Sequence, residues 1–276
     1  MRLTCTSFSF PLLSFEKSLQ LIALLDIEAV DLGAHMDQLH LHAGEIEADP
    51  RGQADRVKRA VDAAGLAIAD LFPTFGRGFR DRPVNTPDPE VHAANRRRFA
   101  ALVQLCKAVG CPGMTLLPGV IWDDLGPERS FDLAVAALTE FVQEARSAGL
   151  RLSVEPHLES VVEAPERALD LVAAVPGLQF TLDYTHFIAA GLPPERVHPL
   201  IPHAGHFHAR HGAPGQLQCP STESTIDYRD IVGRLKAAGY DGSYCVEYTW
   251  QEWRGANRLD VVSESVLLRD QLREYA

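Results

Sequence analysis

The chain of 276 residues is 46% hydrophobic and 23% charged, with a net charge of −11. That balance suits a folded chain with its own core and disfavours nucleic acid, because an acidic surface repels a phosphate backbone. No apolar run reaches the roughly 18 residues of a membrane span, and the five scattered cysteines form neither a CxxC pair nor a secreted-type framework, so no membrane and a cytoplasmic location are expected.

Residues 2–8 (RLTCTSF) read as a strand and 14–26 as a helix. This start is read as fold, not as a signal peptide, because Glu16 and Lys17 arrive before any small-residue cleavage site. A strand at 28–34 and a helix at 49–65 follow, then a strand at 66–72 and a helix at 89–110. A strand and turn at 113–119 lead into a long helix, 127–149. The rhythm continues with strand 150–156, helix 164–175 and strand 178–184. A short segment at 193–200 precedes a strand at 204–210. Helix 225–239, strand 242–248 and helix 258–275 complete the chain. Prolines at early helical positions and glycines just past helix ends punctuate these units as caps. Eight strand–helix units without a linker predict one α/β domain over 1–276, a single (β/α)8 TIM barrel. The alternative, an open doubly wound sheet, lacks its usual signal, since no GxGxxG follows the first strand.

In such a barrel the C-terminal ends of the strands carry the chemistry. Strand 5 ends at Glu155, strand 6 at Asp183, strand 7 at His206 and His208, and strand 8 at Glu247. Side chains alternate along a strand, so Ser153 and Glu155 share a face, as do Thr181 and Asp183, His206 and His208, and Cys245 and Glu247. The intervening Val154, Leu182, Phe207 and Val246 suit the helix-facing side. Glu155, Asp183, His208 and Glu247 therefore form one inward ring. Three buried carboxylates cannot all ionise cheaply without a cation. One divalent metal ion is expected there, Mn²⁺ first, with Mg²⁺, Co²⁺ and Zn²⁺ as alternatives. His206, one layer deeper, is expected to make a core hydrogen bond or support the ring.

The motifs VEPH (154–157), LDYTH (182–186), HFHAR (206–210) and VEY (246–248) resemble the xylose isomerase-like barrel superfamily, in particular its sugar phosphate isomerase/epimerase branch. The resemblance implies metal ligation by Glu155, Asp183, His208 and Glu247, with Glu155 and Glu247 also acting as catalytic base and acid. It implies substrate contact by His186, and a basic residue such as Arg210 near the substrate. The implied reaction is sugar isomerisation or epimerisation by proton transfer next to a carbonyl, through an enediolate. A lyase or dehydratase on a keto-sugar, keto-glycoside or inosose remains open on the same site. An endonuclease at abasic DNA sites fits less well, because strand 3 ends LFPTF without histidine and the net charge is acidic. A sugar-binding barrel without turnover is a further alternative.

His157 is either a substrate contact or a loop histidine capping the next helix, and His35 is read as a loop residue that could approach the site. Trp250 is expected in the pocket wall, Trp122 after strand 4, and Phe72 in the core. The long loops 73–88 and 211–224 have the length of lids. Arg77, Arg80 and Arg82 on the first form a local basic patch, open to an anionic substrate, solvent or a subunit contact. The expected partner is a small sugar or polyol-derived molecule. The Val266–Leu268 stretch of the last helix could meet the barrel or a second copy in a homo-oligomer.

Overall fold

In the computed structural model, which describes residues 2–34 and 40–275, each expected strand pairs in parallel with the next in chain order. They are β1 (Arg2–Thr6), β2 (Ala29–Ala34), β3 (Ala67–Pro73), β4 (Gly113–Leu116), β5 (Arg151–Val154), β6 (Gln179–Asp183), β7 (Ala204–Ala209) and β8 (Ser243–Val246). β8 pairs back onto β1, with Arg2 opposite Ser243 and Cys5 opposite Val246. The sheet closes, so the open-sheet alternative is excluded and the molecule is a (β/α)8 barrel. His35 lies outside the described residues.

The helices are α1 (Phe15–Leu24), α2 (Ala43–Ala48), α3 (Pro50–Ala64), α4 (Pro89–Val109), α5 (Gly126–Ser147), α6 (Pro165–Ala174), α7 (Tyr184–Ala189), α8 (Tyr228–Ala237) and α9 (Val261–Tyr275). Local chemistry starts and stops them. Ser14 caps α1 by accepting from the Lys17 amide, and Asp88 caps α4 by accepting from Glu90 and Val91. Gly65 and Gly110, with φ of 70° and 73°, end α3 and α4 in the left-handed conformation that glycine adopts without penalty. Phe15, Leu19 and Ile22, spaced for one helical face, bury the inner side of α1.

The alternation read from the sequence holds. Val154, Leu182, Phe207 and Val246 are fully buried in the layer between barrel and helices. Each such side chain contributes about 1.5–3 kcal/mol by burial, and each fixes its neighbours to point into the lumen. β6 and β7 pair with Thr181 opposite His206 and Asp183 opposite His208, while His208 faces Cys245 on β8. The ladder runs one residue past β5 and β8, because the Glu155 amide donates to Leu116 and the Glu247 amide to Ala209.

Three local features differ from the sequence reading. α2 fills part of the stretch between β2 and α3, where no element was assigned. The 193–200 segment folds as short 3-10 turns, Pro194–Arg196 and His198–His203, the second of which packs against α6 and α8 in place of a full helix. β6 ends at Asp183 and α7 begins at the next residue. Of the α9 stretch, Leu268 packs on the core while Leu267 stays 46% exposed.

Candidate metal and active site

Asp183 ends a strand and caps a helix at once. Its Oδ1 accepts from the Thr185 amide at 2.8 Å and the Thr185 hydroxyl at 2.6 Å. That leaves Oδ2 to face the lumen, where Arg210 Nη2 lies at 2.7 Å. α7 then turns His186 back over the site, with Nε2 3.6 Å from Asp183 Oδ2 and 3.9 Å from Glu155 Oε2. The DxxH spacing thus works as one helical turn from the cap.

His208 is the hub of the ring. Its Nδ1 is 3.0 Å from Glu155 Oε1 and 3.2 Å from Glu247 Oε2. The ligand atoms of Glu155, His208 and Glu247 lie within 4.8 Å of one another, as do those of Glu155, Asp183 and His186. The four residues expected to form a ring therefore fall, with His186 as a fifth, into two triads that share Glu155. Arg210 spans them, reaching Asp183 and, with Nη1, Glu247 Oε2 at 3.4 Å. Its guanidinium is held from behind by the Thr185 hydroxyl at 3.0 Å, and its backbone amide donates to the Tyr228 hydroxyl at 2.9 Å. Arg210, expected near the substrate, pairs with these carboxylates and also lines the cavity above them.

Electrostatics follows from this crowding. Burial, then the Glu247 charge, raises the Glu155 pKa to about 7. Burial also raises Asp183 despite the pull of Arg210. His186 stays neutral because burial and then Arg210 disfavour its charged form. Burial lowers His157 to about 4. Burial opposes charge on His208 too, but Glu247, Asp31 and Glu155 outweigh it and raise its pKa. The site thus gathers more acid than its single arginine balances. Three carboxylates and one imidazole directed at one buried space suit a divalent cation, so the donor set fits the expected ion.

The deeper layer makes the core hydrogen bond expected of His206. Its Nε2 donates to Asp31 Oδ2 at 2.5 Å. Asp31, on β2, was not singled out in the sequence. Burial works against its ionised form, but His206 and His208 hold its carboxyl well below the usual range. An acid in the middle of the apolar stretch EAVDLGA was the available signal.

The cavity above these groups has a volume of about 50 Å³ and is walled by Phe8, Phe72, Phe79, Leu117 and Trp253 around Glu155, His157, His186, Arg210 and Glu247. Trp250 is not in this wall; it packs against the core. The chain leaving β8 makes a 3-10 turn with Arg254 and Gly255 in left-handed conformations, and this presents Trp253 instead. Phe79, from the 73–88 loop, meets Trp253 edge-on at 5.4 Å and His157 at 5.1 Å. Phe72 lines the cavity with Phe8 rather than joining the main core, and its ring lies 5.9 Å from His208. Gly33 makes room for Phe8, since a Cβ there would fall 2.4 Å from its ring. His157 is buried in the wall and donates through Nδ1 to the Leu158 carbonyl at 2.5 Å.

The basic patch lies apart from this cavity. Arg80 donates to the Ile121 carbonyl at 3.2 Å, and Arg77 and Arg82 border a separate open cleft with Arg98. Trp122 ties the 73–88 loop by donating to the Asn85 carbonyl at 2.9 Å. In the 211–224 loop, Gln218 exchanges hydrogen bonds of 2.8 and 3.0 Å with the Thr249 backbone, which fastens that loop to the β8 exit.

Solved structures share this architecture at low identity. One is D-psicose 3-epimerase with D-tagatose from Clostridium cellulolyticum H10, with a TM-score of 0.79, 14% identity, and coverage of 100% of this chain and 99% of that one. Another is the probable 3-DHS dehydratase AsbF of Bacillus anthracis, with a TM-score of 0.71, 16% identity, and coverage of 98% and 99%. A third is the IOLI protein with a bound zinc atom, with a TM-score of 0.75, 17% identity, and coverage of 100% and 98%. No curated protein matches the chain in sequence. The family model described as xylose isomerase-like TIM barrel matches residues 19–271, and the chain belongs to that family.

Proposed function

We propose that the chain is a divalent-metal-dependent sugar isomerase or epimerase that moves a proton at the carbon next to a carbonyl. The observation that carries this reading is the convergence of Glu155 and Glu247 on His208 Nδ1, at 3.0 and 3.2 Å, in a buried pocket. Glu155, Asp183, His208 and Glu247 would hold the ion, for which Mn²⁺ is the first candidate. When bound, it supplies Lewis-acid polarisation of a carbonyl and its neighbouring hydroxyl.

The protein's own groups do the proton work. One glutamate takes the proton from carbon and the other returns it, on the same carbon or its neighbour. His186, neutral and next to Arg210, serves as a hydrogen-bond partner for a substrate hydroxyl, with Arg210 orienting the adjacent oxygen. His157 forms the wall beside it. Phe79 and Trp253 exclude water and offer an apolar surface to the C–H face of a sugar. The likeness to an epimerase seen with D-tagatose supports a small keto-sugar as partner. The buried, free cysteines accord with a reducing, cytoplasmic setting.

The test is α-proton exchange in D₂O with Mn²⁺-loaded protein and a panel of free ketoses, inososes and keto-glycosides. Exchange with recovery of an epimer or isomer supports the reading. Exchange with loss of a β-substituent assigns a lyase, the class of the structurally similar dehydratase. Absence of exchange from every substrate overturns both.

A further inference from the structure

Below the candidate metal site, Asp31, His206, His208 and Cys245 form a second buried group whose ligand atoms lie within 4.8 Å of one another. One carboxylate organises it. Asp31 Oδ2 is 2.5 Å from His206 Nε2 and 3.4 Å from His208 Nε2, and all three side chains are 1% exposed. An ionised carboxylate only accepts hydrogen bonds, so it selects the N–H form at whichever ring nitrogen faces it. A ring protonated on Nε2 presents Nδ1 as its lone pair. For His208, Nδ1 is the atom between Glu155 and Glu247.

Two buried atoms of this group lack hydrogen-bond partners among the described residues: Asp31 Oδ1 and His208 Nε2. Folded cores leave few such atoms, and each needs a reason. Here the two belong to neighbouring side chains, and a small rotation of the carboxylate pairs them. His206 already tethers the other oxygen, which limits that rotation. The same four side chains could instead hold a second cation, since their N, O and S donors suit zinc. The 2.5 Å contact between His206 and Asp31 leaves no gap for an ion between those atoms, which favours hydrogen bonding.

We propose that Asp31 is a positioning residue, fixing the tautomer and ring orientation of His208 from across the barrel so that Nδ1 faces the metal position, with His206 anchoring the carboxylate. Asp31 touches no substrate in this role. The inference rests on the metal reading above but has a readout of its own.

Long-range proton–nitrogen NMR on histidine-labelled protein, loaded with Zn²⁺, needs no variant. The expected spectrum shows His208 protonated on Nε2 and bonded to the ion through Nδ1. In calorimetric titration with Mn²⁺, Asp31→Asn is expected to weaken binding by about 10–100-fold, the usual range for losing a carboxylate behind a ligating histidine. A His208 proton on Nδ1, Asp31→Asn affinity within about twofold of wild type, or two ions bound per wild-type chain would each overturn the proposal. A wild-type chain that binds no divalent ion removes the metal reading instead. The metal-free spectrum then decides on Asp31: exchange-protected Nε2–H signals from His206 and His208 support it, and their absence overturns it.

Discussion

The two layers of the barrel lumen treat buried charge in opposite ways. In the lower layer, Asp70 accepts from Arg151 Nη2 and from the Thr115 hydroxyl, both at 2.5 Å, and Thr115 contacts the Thr181 hydroxyl at 2.6 Å. One anion meets one cation, and hydroxyls occupy what remains. In the upper layers, Asp31, Glu155, Asp183 and Glu247 share one arginine and the imidazoles of His206 and His208. Both regions are largely buried and polar, so polarity alone does not mark the candidate site. The imbalance does. A matched pair is complete in itself, whereas surplus acid leaves a place for something that arrives later.

The sharpest way to break this contrast is to neutralise one carboxylate of the upper set. Glu155→Gln or Glu247→Gln is expected to lower α-proton exchange by about 10²–10⁴-fold, the usual weight of a general acid or base. Deuterium incorporation measured by NMR, with metal content assayed in parallel, checks it. Retention of full exchange by either variant with metal bound would end the two-glutamate scheme.

The matching change below is Asp70→Ala. It strands Arg151, and breaking such a pair costs about 3–5 kcal/mol, toward the lower end here because Arg151 is partly exposed. Denaturant unfolding reads the loss, and exchange per folded molecule should stay near wild type. A parallel collapse of exchange would show that the layers are not separable.

Metal addition gives a third comparison. At about 100 times its Kd, Mn²⁺ is expected to stabilise the wild-type chain by about 2.7 kcal/mol. Asp183→Asn should lose most of that gain and Asp70→Ala should keep it, as followed by thermal unfolding with and without the ion.

The smallest expected effect is a pH trend in metal-free protein. Glu155 has its pKa raised from 4.5 to about 7, so its favourable contribution is complete below 4.5 and lost as pH rises through 7. The raised pKa values of Asp183 and His208 act in the same direction. Moving from about pH 8 to about 6.5 should therefore stabilise metal-free protein by about 1 kcal/mol. His157 and His211, lowered from 6.5 to about 4, and His186, also lowered, oppose the trend increasingly toward the acid end of that window and below it. Saturating Mn²⁺ should flatten the trend, because the ion takes the place of the protons.

Much of the barrel was legible in the sequence because its signals are local. Period-two alternation, a proline opening α3, α4 and α6, and a left-handed glycine closing α3 and α4 need only a few neighbouring residues. Glu155, Asp183, His208 and Glu247 were legible for the same reason, as strand ends in register. Asp31 was not, because its partner His206 lies 175 positions away, across the lumen. Thr185 escaped notice because the strand-to-helix junction that makes it a brace for Asp183 has no linker to announce it. Trp250 and Trp253 are three residues apart after the same strand, and that spacing does not say which one lines the cavity and which packs on the core.

The seam between β1 and β8, with Arg2 opposite Ser243, carries a consequence for how the molecule is made. β8 must leave the ribosome before the first strand meets its last neighbour. Asp31, translated early, meanwhile waits for His206, 175 positions later. Pairings this distant in sequence fold slowly and expose unpaired strands on the way, so the nascent chain is expected to depend on chaperones until β8 has emerged.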